Sequence, residues 1–191
     1  MGNIPSRTPT AGGYTYHSDR VVKKKMVGTG TITSDEVSFK GFFVEGVMIR
    51  GTINRNGKRY TIDIQPYCLG LYMGHINNKM GIFRRVRLPK DVKSGENPKH
   101  YEIIPIAICI SDEIRIPQKN KSYRVANVDD LRYLVELLDL SSSIDKNGSI
   151  MYHKREDEPD FKIDRVIASF IKYINMSSHV ENQYSNEGMI E

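Results

Sequence analysis

Val47-Met48-Ile49-Arg50-Gly51-Thr52-Ile53-Asn54-Arg55-Asn56-Gly57-Lys58-Arg59-Tyr60-Thr61-Ile62-Asp63-Ile64 reads as two strands joined by a two-residue turn. Asn-Gly suits a type I′ turn, in which both central residues take positive φ. That turn sets the register. Arg55 faces Lys58, Ile53 faces Tyr60 and Ile49 faces Ile64, which gives one apolar face. On the other face Thr52 meets Thr61, and Arg50 meets Asp63 as an opposite-charge cross-strand pair. Turn chemistry and side-chain pairing agree, and an antiparallel sheet follows from them.

The same alternation extends to both sides of the hairpin. Met26–Thr33, Val37–Glu45 and Ile82–Arg87 have strand length and strand composition. Gly28-Thr29-Gly30 lacks the Gly-Lys-Ser/Thr of a phosphate loop and reads as a bulged strand start. Pro66 is expected to end the hairpin, and Tyr67–Met73 is apolar without a clear period. Asn77, Asn78 and Gly81 mark a loop, and Asp91–His100 a second, exposed one. Tyr101–Ile110 is apolar on both faces, as in a central strand, with Pro105 requiring a bulge or an unpaired edge.

Helical periodicity takes over after residue 126. Asn127 caps a helix expected to run through Leu140, with Asp129 and Asp130 in its first turn. Leu131, Leu134, Val135 and Leu138 share one face. Ser141–Pro159 reads as a polar connector. A second helix is expected from Pro159, with Ile163, Val166, Ile167, Phe170, Ile171 and Ile174 in one stripe. The expected fold is α+β: an antiparallel sheet over residues 26–126 packed by two C-terminal amphipathic helices, 128–140 and 160–175. Residues 1–25 read as a flexible basic arm, 26–176 as a single domain, and 177–191 as a polar disordered tail.

The chain has 191 residues, 39% of them hydrophobic and 27% charged, which suits one packed domain with tails. It has no apolar segment of signal-peptide or membrane-spanning length. Cys68 and Cys109 fall in apolar, strand-like segments and read as reduced core residues. No Cys-x-x-Cys, no His-Glu-x-x-His and no Gly-x-Ser-x-Gly is present, and the five histidines are scattered. An enzyme, a metal or a cofactor is therefore not expected.

The net charge of +5 is unevenly distributed. Residues 155–191 hold Arg155, Lys162, Arg165 and Lys172 against eight carboxylates, so the positive charge belongs to the N-terminal part and the centre. Met1-Gly2-Asn3-Ile4-Pro5-Ser6 carries the pattern for N-myristoylation at Gly2. A single acyl chain binds membrane only marginally and needs a partner such as a basic patch. Arg7, Arg20, Lys23, Lys24 and Lys25, against Asp19, supply one. In the centre, Phe83-Arg84-Arg85-Val86-Arg87 reads as a strand with Arg85 and Arg87 on one face and Arg84 on the other. Arg84, Arg85 and Arg87 are candidate phosphate or nucleic-acid contacts, with Tyr72 or Phe83 as stacking surfaces, or else they guard a sheet edge.

Val37-Ser38-Phe39-Lys40-Gly41-Phe42-Phe43-Val44 with Val47-Met48-Ile49-Arg50, and Leu71-Tyr72-Met73-Gly74 with Ile82-Phe83-Arg84, resemble patches of rhabdovirus-like matrix proteins. The basic arm ahead of a β-rich domain resembles that family's layout. The resemblance implies binding to the inner membrane leaflet, self-association, and contact with a viral nucleocapsid or RNA. Late-domain Pro-Pro-x-Tyr and Pro-Thr/Ser-Ala-Pro motifs are absent, and Pro9-Thr10-Ala11-Gly12 is a near miss. Myristoylation is not that family's usual anchor, and Tyr60–Gly70, helical in its better-known members, reads here as strand and turn. The expected partners are an anionic membrane surface, further copies of the chain, and nucleocapsid or RNA. The expected location is the cytoplasmic face of host membranes, the virion and a cytosolic pool. The alternatives are a myristoylated membrane adaptor and a cytosolic nucleic-acid-binding protein.

Overall fold

The computed structural model describes residues 14–68, 70–87, 101–138, 142–144, 150–154, 156 and 164–176. Ten strands form a mostly antiparallel sheet in which neighbours follow chain order, and two helices follow, in keeping with an α+β protein. The chain divides into two compact units, residues 1–78 with 83–104, and residues 79–82 with 105–191.

The first unit is a meander. It contains β1 (Thr15–Val22), β2 (Lys25–Thr33), β3 (Val37–Val44), β4 (Val47–Arg55), β5 (Lys58–Cys68) and β6 (Leu71–Ile76). Most of β7 (Lys79–Arg87) and the start of β8 (Tyr101–Ile110) complete it. The Asn56-Gly57 hairpin forms in the expected register: Arg55 pairs with Lys58, Ile53 with Tyr60, Thr52 with Thr61 and Arg50 with Asp63. Asn56 and Gly57 both take positive φ, 49° and 75°. The core is built from inward positions of these strands, among them Tyr16, Met26, Ile32, Phe39, Phe43, Ile62, Ile64, Tyr72, Phe83 and Ile103. Where β3 and β4 cross, Gly41 pairs with Gly51. A Cβ at Gly41 would collide with the Arg50 carbonyl oxygen, so only glycine permits this approach.

Order begins earlier in the chain than the sequence suggests. Residues 15–22, expected to belong to the arm, form β1 and pair with β2 from Thr15↔Thr33 to Val22↔Lys25. The signal is weak because β1 is the first strand of the sheet order and buries little besides Tyr16. Gly28-Thr29 is indeed a bulge: Ser18 pairs with Gly30 and Arg20 with Val27, and Gly28 takes φ 89°. The Thr29 N–H donates to Asp19 Oδ2 at 3.1 Å across it. Pro66 does not end β5, which continues to Cys68 with a register shift after Pro66. Tyr67–Met73 therefore spans the end of one strand and the start of the next. Leu71, Tyr72, Met73 and Gly74 are buried in succession, which is why no period of two is visible there.

In the second unit β8 turns into β9 (Glu113–Pro117), which pairs with β10 (Tyr123–Val125). Asn127 caps α1 (Val128–Leu137) as expected, in a reciprocal box. Its Oδ1 accepts from the Asp130 N–H at 2.9 Å, and Asp130 Oδ2 accepts from the Asn127 N–H at 2.8 Å. Both terminal nitrogens of Arg124 donate to the Asp130 carboxylate, at 2.5 and 2.9 Å. That guanidinium holds the Asp130 carboxyl below the usual carboxylate range. Leu131, Leu134 and Leu138 are buried. The segment 141–159 is not a plain connector, because β11 (Ser142–Ile144) pairs with β12 (Ile150–Tyr152). A second helix, α2 (residues 164–176), buries Ile167, Phe170, Ile171 and Ile174. Its expected start at Pro159, the 91–100 loop and the 177–191 tail lie outside the described residues.

Candidate functional site

Gly2 and Arg7 lie outside the described residues. Arg20, Lys23, Lys24 and Lys25 do not belong to an arm: the strand pairing gathers them on the β1–β2 hairpin. Lys23 and Lys24 are its two turn residues, exposed, with φ of 48° and 63°. Arg20 and Val21 are exposed on the strand that enters the turn. Lys25 leaves the turn toward the body of the unit, where its Nζ lies 3.8 Å from Glu45 Oε2.

The turn departs from local chemistry. Paired positive-φ residues also occur at Glu45-Gly46, Asn56-Gly57, Asn77-Asn78 and Ser111-Asp112. Each of those pairs includes Gly, Asn or Asp, the residues that tolerate the left-handed region. Lys23-Lys24 includes none of them. A left-handed backbone costs an ordinary L-residue about 1–2 kcal/mol. Two lysines thus occupy positions that folding alone would give to Asn-Gly.

The central arginines separate as strand alternation requires. Arg84 is exposed, while Arg85 is partly buried and turns toward the aromatic interior. The Arg85 guanidinium stands over the Tyr101 ring, 5.0 Å from its centroid, and hydrogen-bonds the Tyr72 side chain. The Arg85 N–H donates to the Gly70 carbonyl at 3.0 Å. Burial raises the Tyr72 phenol above its ordinary value, and Arg85 offsets part of that rise. Arg87 lies at the end of β7, and its side chain is outside the described residues.

Neither Tyr72 nor Phe83 can serve as a stacking surface, because Tyr72 is 6% and Phe83 0% exposed. Both belong to the core. Arg85 is likewise packed against tyrosines rather than presented to a ligand. Tyr101 was not legible as its neighbour. It arrives through long-range pairing: the Tyr101 N–H donates to the Gly46 carbonyl at 3.0 Å, and Val47 pairs with Tyr101.

Among the described residues no group of three or more His, Cys, Asp or Glu side chains could hold a metal ion. No helix among them is long and apolar enough to cross a membrane. Burial pushes the Cys109 thiol up to about 12, so it is not a thiolate at neutral pH. The chain matches no family model, no curated protein and no solved structure.

Proposed function

We propose that this is a peripheral membrane structural protein of the viral-matrix kind. It rests on an anionic leaflet through an acylated Gly2 and the cationic β1–β2 hairpin, and it self-associates. The observation that carries this reading is the Lys23-Lys24 turn. Residues held against their local backbone preference concentrate at functional sites. Here the benefit is presentation: Arg20, Lys23 and Lys24, with Val21 between them in sequence, project from one hairpin. A cation held near an anionic leaflet contributes about 1 kcal/mol, and a neighbouring apolar side chain can enter the headgroup boundary. Self-association through the basic hairpin and the acidic Glu156-Asp157-Glu158 stretch of another copy agrees with the uneven charge of the chain.

Replacing Lys23-Lys24 by Asn-Gly removes two charges and keeps the turn. Flotation of the acylated full-length chain with phosphatidylcholine vesicles, with and without phosphatidylserine, reads the effect. The Lys23→Asn/Lys24→Gly variant should bind phosphatidylserine vesicles roughly thirtyfold more weakly, from about 1 kcal/mol per lysine. Gly2→Ala should reduce binding to both vesicle types. Equal binding of all three proteins removes the membrane role. Membrane binding by a protein that stays monomeric across a salt series points to an adaptor instead.

A further inference from the structure

A second surface lies on the solvent face of β2 to β5. The outward positions align in rows across the strands. One row runs Thr31, Lys40, Thr52, Thr61, and the next runs Thr29, Phe42, Arg50, Asp63. Most of these side chains are short or polar, as expected of a wet sheet face. Phe42 is the exception, being 46% exposed. It stands between Thr29 and Arg50, with Lys40 two residues before it on the same face. Beside it the β3–β4 register shifts between Phe42 and Phe43, and such a bulge re-aims the side chains around it.

From this face we infer a binding site for single-stranded nucleic acid, with Phe42 as the base-stacking platform and Lys40, Arg50 and Arg59 as phosphate contacts. Arg59 is exposed on the same face, opposite Asn54. Two carboxylates lie near these three cations. Asp63 Oδ1 lies 3.5 Å from Arg50 Nε, and Asp19 accepts from the Thr29 N–H. The face thus carries more positive than negative charge around an open aromatic ring, the combination that sequence-tolerant single-strand binders use. A membrane is a poorer occupant, since Phe42 lies within a strand paired on both sides rather than at a protruding turn. The site uses none of the residues assigned to the membrane-facing turn, Arg20, Lys23 and Lys24, and none of Arg84, Arg85 and Arg87.

Fluorescence anisotropy of the full-length protein with a labelled uridine dodecamer, against an RNA duplex of the same length, tests this. The single strand should bind with an affinity that falls with salt, and more tightly than the duplex. Phe42→Ala should weaken single-strand binding about tenfold and leave the salt slope unchanged. Phe42→Tyr, which keeps the ring, should bind like the wild type. Lys40→Ser/Arg59→Ser should flatten the slope by roughly 0.7 for each phosphate that is no longer neutralised. If Phe42→Ala unfolds, Phe42→Leu takes its place: it keeps apolar bulk without a ring and must also lose affinity. The inference is overturned if the wild type binds no single strand, or if Phe42→Leu binds as tightly as the wild type. Binding abolished by Lys23→Asn/Lys24→Gly alone also overturns it, because that result moves the binding to the hairpin.

Discussion

The guanidinium of Arg85 lies 5.0 Å from the ring centroid of Tyr101, although sixteen positions part them in sequence. Cation–π interactions of this kind contribute about 0.5–2 kcal/mol, more as the pair is desolvated. Arg85→Ala should therefore lower stability in urea denaturation, and Tyr101→Leu should lower it too. The double variant should cost less than the sum of the two, because the pair is shared. Strict additivity would sink the interaction as a stabilising one. Arg85→Ala should also let the Tyr72 phenol titrate at still higher pH, read by carbon NMR of labelled tyrosine, since Arg85 is what offsets its burial.

Lys23→Asn/Lys24→Gly should make the protein more stable as it weakens membrane binding. Asn and Gly accept the φ values of 48° and 63° that the lysines adopt under strain. The gain expected from relieving two left-handed residues is on the order of 2–4 kcal/mol, observed as a higher urea midpoint with an unchanged slope. A lower midpoint would mean that the lysines stabilise the hairpin by interactions of their own, and the functional reading of the turn would lose its basis.

Asp130→Asn should destabilise the second unit in a pH-dependent way. The folded-state pKa of Asp130 is depressed, chiefly by the hydrogen bonds from Arg124. A depressed carboxyl contributes stability that is present above its unfolded pKa of about 4 and is lost as pH falls through the folded value. The gap between wild type and variant should be widest near neutrality and close in acid. A gap that stays constant down to low pH would assign the effect to the N-terminal cap of α1 alone.

Gly41→Ala should be among the most damaging small substitutions in the first unit. The added methyl meets the backbone of Arg50 and Gly51, which cannot rotate away as a side chain would. Overpacking of this kind costs about 1–3 kcal/mol. Circular dichroism melting reads it, and a wild-type melting temperature would show that β3 and β4 can separate without loss.

The fold was legible where a local rule has a single solution. Asn56-Gly57 dictates its turn, and the turn dictates which residues meet across β4 and β5. Asn127 and Asp130 similarly announce the start of α1 through two reciprocal hydrogen bonds. Where rules conflict, the sequence misleads. β1 hides because one inward Tyr16 gives too little alternation, and β6 hides because burial on both sides erases it. Lys23-Lys24 does not look like a turn, since neither residue favours one. Strand parity correctly set Arg84 and Arg85 on opposite faces but could not say which face was interior. That depended on Tyr101, supplied by pairing across more of the chain than any local window covers.

Chain order and strand order coincide from β1 to β6, which has a consequence for how the protein is made. Each new strand closes on the one synthesised just before it, so the early hairpins can form while the rest of the chain is still emerging. Such short-range closures take on the order of microseconds, far faster than synthesis. The partners that reach back from β8, Tyr101 to Gly46 and Val47 and the Arg55–Glu102 ion pair, must wait. Tyr101 is therefore a latch of the first unit, fastened late, and Arg85 is already in the chain when it arrives.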